Sequence, residues 1–187
     1  MKPLYVACIV EGQGDIAAAP VLIKRLVTLV NPGVYADVRP FRVPKSKLVS
    51  SGELEKAVEL AARRLCSPGV ILVLIDSDDD CPKELVPALL ARAMQTAGGR
   101  WPVGVVLAHR EFECWFIAAA ESAPSDPESI RGAKEWLRRN LLQRKYSETV
   151  DQRELADKLD LIAARRAPSF DKLYREIERF CSLAIPV

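Results

Sequence analysis

Residues 69–80 read GVILVLIDSDDD. The run from Gly69 to Ile75 shows no apolar–polar alternation. A strand that is apolar on both faces is covered by helices on both sides, as in the centre of a parallel sheet. The chain then passes at once into Asp76, Ser77, Asp78, Asp79 and Asp80. An acidic cluster is thereby expected at the carboxyl end of a buried strand.

Working outward, strand and helix patterns alternate over the first two-thirds of the chain. LYVACIV (4–10) is a strand candidate that runs into Glu11-Gly12-Gln13-Gly14-Asp15. A helix follows, with Val21, Leu22, Leu26, Leu29 and Val30 expected on its apolar side. Pro20 belongs in its first turn or kinks it. Residues 34–43 alternate weakly, and Pro40 points to an edge strand. Ser50-x-x-Glu53 has the form of a capping box ahead of Leu54, Val58, Ala61 and Leu65. Pro82 suits the first turn of a helix that stops at Gly98-Gly99. WPVGVVLA (101–108) is a fourth strand, and FECWFIAAA opens a helix.

Beyond Ser122 the patterns are helical only. Asp126-Pro127 signals a start for Ile130, Ala133, Leu137 and Leu141. Asp151-x-x-Glu154 is expected to cap Leu155, Leu159 and Ile162, and Phe170, Leu173, Ile177 and Phe180 form a last apolar stripe. The expected fold is α/β: a Rossmann-like, mainly parallel sheet of about four strands with helices on both faces. Residues 1–122 form that core, and 123–187 a helical extension packed on it.

Composition narrows the function classes. The 187 residues are 49% hydrophobic and 28% charged, with a formal net charge of +2. That is ordinary globular composition, without the polar bias of a disordered chain. The longest apolar run is too short to span a bilayer, and the N-terminus reads as a strand and not a signal peptide. Five scattered cysteines, none in a CxxC pair, read as reduced thiols of a cytoplasmic protein, four of them in or beside apolar segments. With a single histidine, His109, nucleophilic cysteine chemistry and a Cys/His zinc site are both disfavoured. His109 reads as a polar rim residue.

Three strand ends carry acids: Glu11, the 76–80 cluster, and Glu111 with Glu113. Strand ends of a parallel sheet share one rim, and ligands bind there, where the strand order reverses. Carboxylates crowded at one point repel unless a cation neutralises them or their proton affinities rise. Mg²⁺ or Mn²⁺, hard ions with oxygen ligands, would resolve that conflict. Asp76, Asp78 and Glu113 are the expected metal-holding residues, while Asp79 and Asp80 fit better as caps of the next helix. Gly12 and Gly14 would let backbone approach a phosphate at a helix N-terminus. Basic runs at 39–47 (Arg39, Arg42, Lys45, Lys47) and 131–145, including Arg138 and Arg139, are either solvated faces or phosphate contacts for nucleic acid.

A glutamate in a Gly-rich turn after the first strand, followed by Asp-x-Asp after a later apolar strand, resembles the Toprim domain of topoisomerases, bacterial primases and OLD-type nucleases. VEGQGDIAAAPVLIKRL, VLIDSDDDCP, AHREFECWFIA and KLDLIAARRAPSFDKLYREIERF together look like a small stand-alone Toprim-like family of bacterial proteins. The resemblance implies a Mg²⁺-dependent phosphodiester site in which Glu11 acts as general acid or base and Asp76 and Asp78 hold metal. It further implies nucleic acid as a partner and an ABC-type ATPase beside it, in phage defence or DNA processing. This chain shows neither an ATPase segment nor the tyrosine-bearing domain of a topoisomerase, so strand passage is not expected of it. Two other classes remain open. One is a non-catalytic Toprim-like module that binds nucleic acid or a partner ATPase. The other is a haloacid-dehalogenase-type phosphatase, against which stands the position of Asp-x-Asp far from the N-terminus.

Overall fold

A computed structural model describes residues 1–183. Four strands, β1 (Lys2–Val10), β2 (Val34–Arg42), β3 (Gly69–Asp76) and β4 (Val103–Ala108), form one sheet in the order β2-β1-β3-β4. Every pairing is parallel. β3 is central, and Val70 to Ile75 are all buried, as its unbroken apolar run requires. β2 lies at the edge, where Pro40 withholds no hydrogen bond that an inner neighbour would need.

Helices cover both faces. Alternate residues of each strand face opposite ways, so β3 sends Val70, Leu72 and Leu74 into one core and Ile71, Val73 and Ile75 into the other. The second core is closed by α2 (Lys45–Leu48), α3 (Glu53–Arg63) and α4 (Pro82–Ala97). The first is closed by α1 (Asp15–Val30), α5 (Glu113–Ala119), α6 (Ala133–Leu137), α7 (Glu148–Lys158) and α8 (Pro168–Leu183). The C-terminal helices therefore pack on the α/β core: Leu137, Ala156, Phe170 and Leu173 share a cluster with Val6 and Leu22. In α8 the expected stripe Phe170, Leu173, Ile177 and Phe180 is fully buried. Trp115 meets Phe170 edge-on at 5.4 Å, which makes the aromatic stripe of α5 core packing.

Several local expectations are corrected. Pro20 lies inside α1, just past its first turn, and the buried side is Ala18, Ala19, Leu22, Ile23, Leu26 and Val27, while Leu29 is exposed. Ser50 does not cap α3; its hydroxyl returns to Ser46, and Gly52 at φ 84° stands before the helix. The single helix expected after Asp126 is broken. Pro127–Ser129 form a 3₁₀ turn, Gly132 at φ 74° precedes α6, and Arg138–Leu142 form a π-helical turn. α7 begins at Glu148, with Ser147 before it, so Asp151 lies inside the helix. There its carboxylate accepts the Ser147 N–H at 2.7 Å and pairs with Arg144. Of the five free cysteines, Cys8, Cys114 and Cys181 are buried, whereas Cys66 and Cys81 are exposed.

Candidate functional site

From β1 the chain steps to β2 on one side and then to β3 on the other, so the strand order reverses between β1 and β3. Glu11 directly follows β1, and Asp76 is the last residue of β3. A cleft of about 370 Å³ opens at this point. Glu11, Asp76, Asp78 and Glu113 all line it, as the shared rim requires. Asp15, Asp79, Glu111 and Glu148 bring its carboxylates to eight, against three cations, Arg110, Arg131 and Lys134.

The acidic excess shows in proton affinity. Burial, then the charges of Glu113, Asp15 and Glu11, push the Asp76 carboxyl well above its usual range. One hydrogen bond opposes this, from the Phe112 N–H to Asp76 Oδ1 at 2.8 Å. Burial, followed by the neighbouring Asp78 and Asp15 charges, pushes Glu11 up to about 7, with Lys45 and the Asp76 backbone N–H pulling it down. Glu113, only 2% exposed, is also pushed up to about 7 by burial, against the pull of Lys134 and of the Tyr146 hydroxyl. That hydroxyl donates to Glu113 Oε1 at 2.8 Å.

Asp78 is tied to a cation of the chain itself. Lys45 Nζ lies 2.9 Å from Asp78 Oδ2 and 2.8 Å from Asp80 Oδ2, and donates to the Ser77 carbonyl at 2.6 Å. Asp79 pairs with Arg110 and Arg131. The capping role expected of Asp79 and Asp80 is not found: Cys81 stands at the start of α4, without a side-chain cap.

The Gly-rich turn is also different from expectation. Gly12 N–H donates to Asp15 Oδ2 at 2.8 Å, so an internal carboxylate already takes this amide. A Cβ on Gly14 would collide with Gln152 Oε1 and lie 2.7 Å from the Glu148 carbonyl oxygen. Gly14 is small because α7 packs on it, whereas Gly12 lines the cleft. Arg138 and Arg139 lie outside the cleft and pair with Glu135 of their own helical segment. From this basic run the cleft takes Arg131 and Lys134 instead, beside Arg110. In the 39–47 run, Arg39 pairs with Asp37, Arg42 donates to the Glu11 carbonyl, and Lys45 serves the aspartates. His109 stands at the rim with Nδ1 3.3 Å from Ser77 Oγ.

Asp15, Gln152, Tyr146 and Arg110 were not singled out in the sequence. Asp15 could have been found, since it closes the Glu-Gly-x-Gly-Asp turn. Gln152 and Tyr146 carry no local signal. Three buried side-chain polar atoms lack a partner among the described residues: Glu11 Oε2, Arg110 Nε and Gln152 Oε1. All three residues line this cleft. Unpaired buried groups are rare, and their concentration in one place marks where a ligand fits.

Among the described residues, no three His, Cys, Asp or Glu side chains already stand together as a metal cage. The donors nevertheless fit a hard cation. They are all oxygens, Glu11 Oε2 is unpartnered, and Asp76 Oδ1 has a single N–H partner. Glu11 and Asp76 would hold Mg²⁺ or Mn²⁺, joined by Asp78 once Lys45 is released. Glu113, also expected as a ligand, lines the same cleft with Oε1 accepting from the Tyr146 hydroxyl.

No curated protein and no solved structure matches the chain. The model of a family described as Domain of unknown function (DUF4276) matches residues 10–178, from the end of β1 into α8. That span takes in every wall of the acidic cleft, and the chain belongs to the DUF4276 family.

Proposed function

We propose that the chain is a Mg²⁺- or Mn²⁺-dependent phosphodiester-cleaving protein, a nuclease or nicking enzyme acting on nucleic acid. The observation that carries this reading is the pair Glu11 and Asp76 at the reversal of strand order. Both carboxyls are disfavoured as bare ions, and Glu11 keeps a buried oxygen without a partner. A divalent ion bound there would neutralise the pair and stabilise charge on the reacting oxygens. Glu11, with a proton affinity near neutrality, suits transfer of a proton to or from a phosphodiester oxygen. Asp76 is oriented by the Phe112 N–H, and the Tyr146 hydroxyl fixes Glu113 behind it.

The test is cleavage of plasmid and single-stranded DNA with Mg²⁺ or Mn²⁺, comparing wild type with Asp76→Asn. Metal-dependent cleavage that the substitution abolishes supports the reading. Absence of cleavage with either ion, with or without an ATPase partner, refutes it.

Lys45 favours a second reading. An ammonium that already bridges Asp78 and Asp80 neutralises part of the rim from within, as suits a non-catalytic module that docks nucleic acid or an ATPase. In the first reading the same lysine yields to the metal. The resemblance to OLD-type proteins extends the proposal to action beside an ABC-type ATPase. Free thiols at all five cysteines favour the cytoplasm. Among the described residues, no helix is long and apolar enough to cross a membrane.

A further inference from the structure

Arg110 follows β4 by two residues and has φ 62°. Asp78, two residues past β3, has φ 50°. Both lie in the left-handed region, where a side chain crowds its own backbone. The two turns hold each other there: the Asp78 N–H donates to the Arg110 carbonyl at 3.0 Å, and the Arg110 N–H to Ser77 Oγ at 2.8 Å. Strain maintained from both sides is a feature of functional turns.

The Arg110 guanidinium is poorly matched by its own protein. Of its five N–H donors, only Nη1 has a protein partner among the described residues, a 3.3 Å contact to Asp79 Oδ1. Nε is buried and unpaired. The ion pair of Arg110 is with Asp79, and among the described residues its guanidinium has no ion pair or hydrogen bond to Glu11, Asp76 or Glu113. Arg131 reaches the same Asp79 oxygen at 3.0 Å, although that aspartate side chain is 75% exposed. An exposed carboxylate thus stands between two arginines, beside an Nε–Nη2 edge that has no partner among the described residues and has the shape to meet two oxygens of an oxyanion.

We infer that Arg110, assisted by Arg131, forms an oxyanion subsite for a phosphate group of the substrate, and that Asp79 holds the two arginines until the phosphate replaces it. The ligand class rests on the phosphodiester reading above, whereas the subsite is tested by binding alone. In the full-length protein, the Arg110 Nε–H resonance, assigned by its loss in Arg110→Lys, is followed by NMR. The probes are inorganic phosphate and a short single-stranded oligonucleotide, each with EDTA and with Mg²⁺. The resonance should shift on saturation, and Arg110→Lys should weaken binding at least tenfold while its melting temperature is retained. Asp79→Asn, which removes the competing carboxylate, should strengthen binding several-fold. A larger response to the oligonucleotide assigns the subsite to phosphodiesters, and an equal response to inorganic phosphate assigns it to a phosphate monoester; either result supports it. Binding at Arg110 by a protein that never cleaves DNA keeps the subsite and removes the nuclease reading. No shift with either probe, or wild-type affinity in Arg110→Lys, overturns the subsite even in an active nuclease.

Discussion

Lys45 reaches 33 residues along the chain to Asp78, its Nζ 2.9 Å from Oδ2 and the Ser77 carbonyl within 2.6 Å. Burial works against the charge of this ammonium, but its hydrogen bonds to Asp80 and Asp78 outweigh that and raise its proton affinity. The lysine occupies the carboxylate that a divalent ion would share with Asp76.

Replacing it should therefore sharpen metal binding. Lys45→Met is expected to tighten Mg²⁺ or Mn²⁺ by about tenfold, roughly 1.4 kcal/mol. In EDTA it should cost up to about 1 kcal/mol of stability, in the range of partly exposed pairs. Titration calorimetry and thermal melts give both numbers. Unchanged or weaker affinity would mean that Asp78 is no ligand.

The pH dependence follows from Glu11 and Glu113. Each folded carboxyl is pushed up to about 7, above its unfolded range near 4.5, so the folded protein binds more protons between those values. Their contribution to stability is complete below about 4.5 and is lost as pH rises through about 7. At 1.36 kcal/mol for each pH unit, about 3 kcal/mol is the ceiling for buried Glu113, and the more exposed Glu11 contributes well below that because solvent screens it. Melts in EDTA should fall from pH 5 to pH 8, and Glu11→Gln or Glu113→Gln should flatten the slope. A slope unaltered by both substitutions would contradict the crowding described for the cleft.

Divalent metal should reverse this trend, since the ion requires the ionised carboxylates. A hundredfold excess over Kd adds about 2.7 kcal/mol, and the gain should be largest above pH 7. Asp76→Asn should abolish the gain and leave the metal-free protein as stable or more so. A melt insensitive to millimolar Mg²⁺ and Mn²⁺ at pH 8 would remove the metal site.

Glu11→Gln keeps the shape of the side chain but removes its capacity to move a proton and weakens its hold on the ion. Turnover should drop by roughly 10²- to 10⁴-fold while oligonucleotide affinity stays nearly constant. Loss of binding and turnover together would assign Glu11 to substrate contact instead.

Packing at the Gly-rich turn gives a purely structural test. Gly14→Ala places a methyl against Gln152 Oε1 and the Glu148 carbonyl, so α7 must shift. The expected cost is about 1–3 kcal/mol, the range for overpacking. Gln152→Ala removes the Nε2–H donated to Asp15 Oδ1 at 2.8 Å and should cost a similar amount. Gly14→Ala in the Gln152→Ala background should destabilise by less than in wild type, as a double-mutant cycle would show.

The sheet was legible because its signals are local. Val70 to Ile75 lack polar residues, Pro40 marks an edge, and the acids at strand ends share a rim by topology alone. Helix details failed where a backbone turn overrode the side-chain pattern. Ser50 and Glu53 have capping-box spacing, but Gly52 at φ 84° opens the helix one residue before Glu53. The apolar periodicity from Ile130 to Leu141 runs on across Gly132 at φ 74° and a π-helical turn. In the site, the carboxylates could be read and their partners could not. Lys45, Arg110 and Gln152 act on residues 31 to 137 positions away, and a basic run gives no sign of which cation it spends internally.

The seating of α7 on the Gly14 turn also fixes when the cleft can exist during synthesis. A ribosome-bound chain presents Glu11, Asp76 and Glu113 well before Glu148 and Gln152 leave the exit tunnel. Until then the sheet rim lacks one wall, and Asp15 lacks the amide that holds it. A nascent or truncated chain ending before α7 would carry the acidic residues without the enclosure that tunes them, so any reactivity of the cleft is deferred until α7 has emerged and packed.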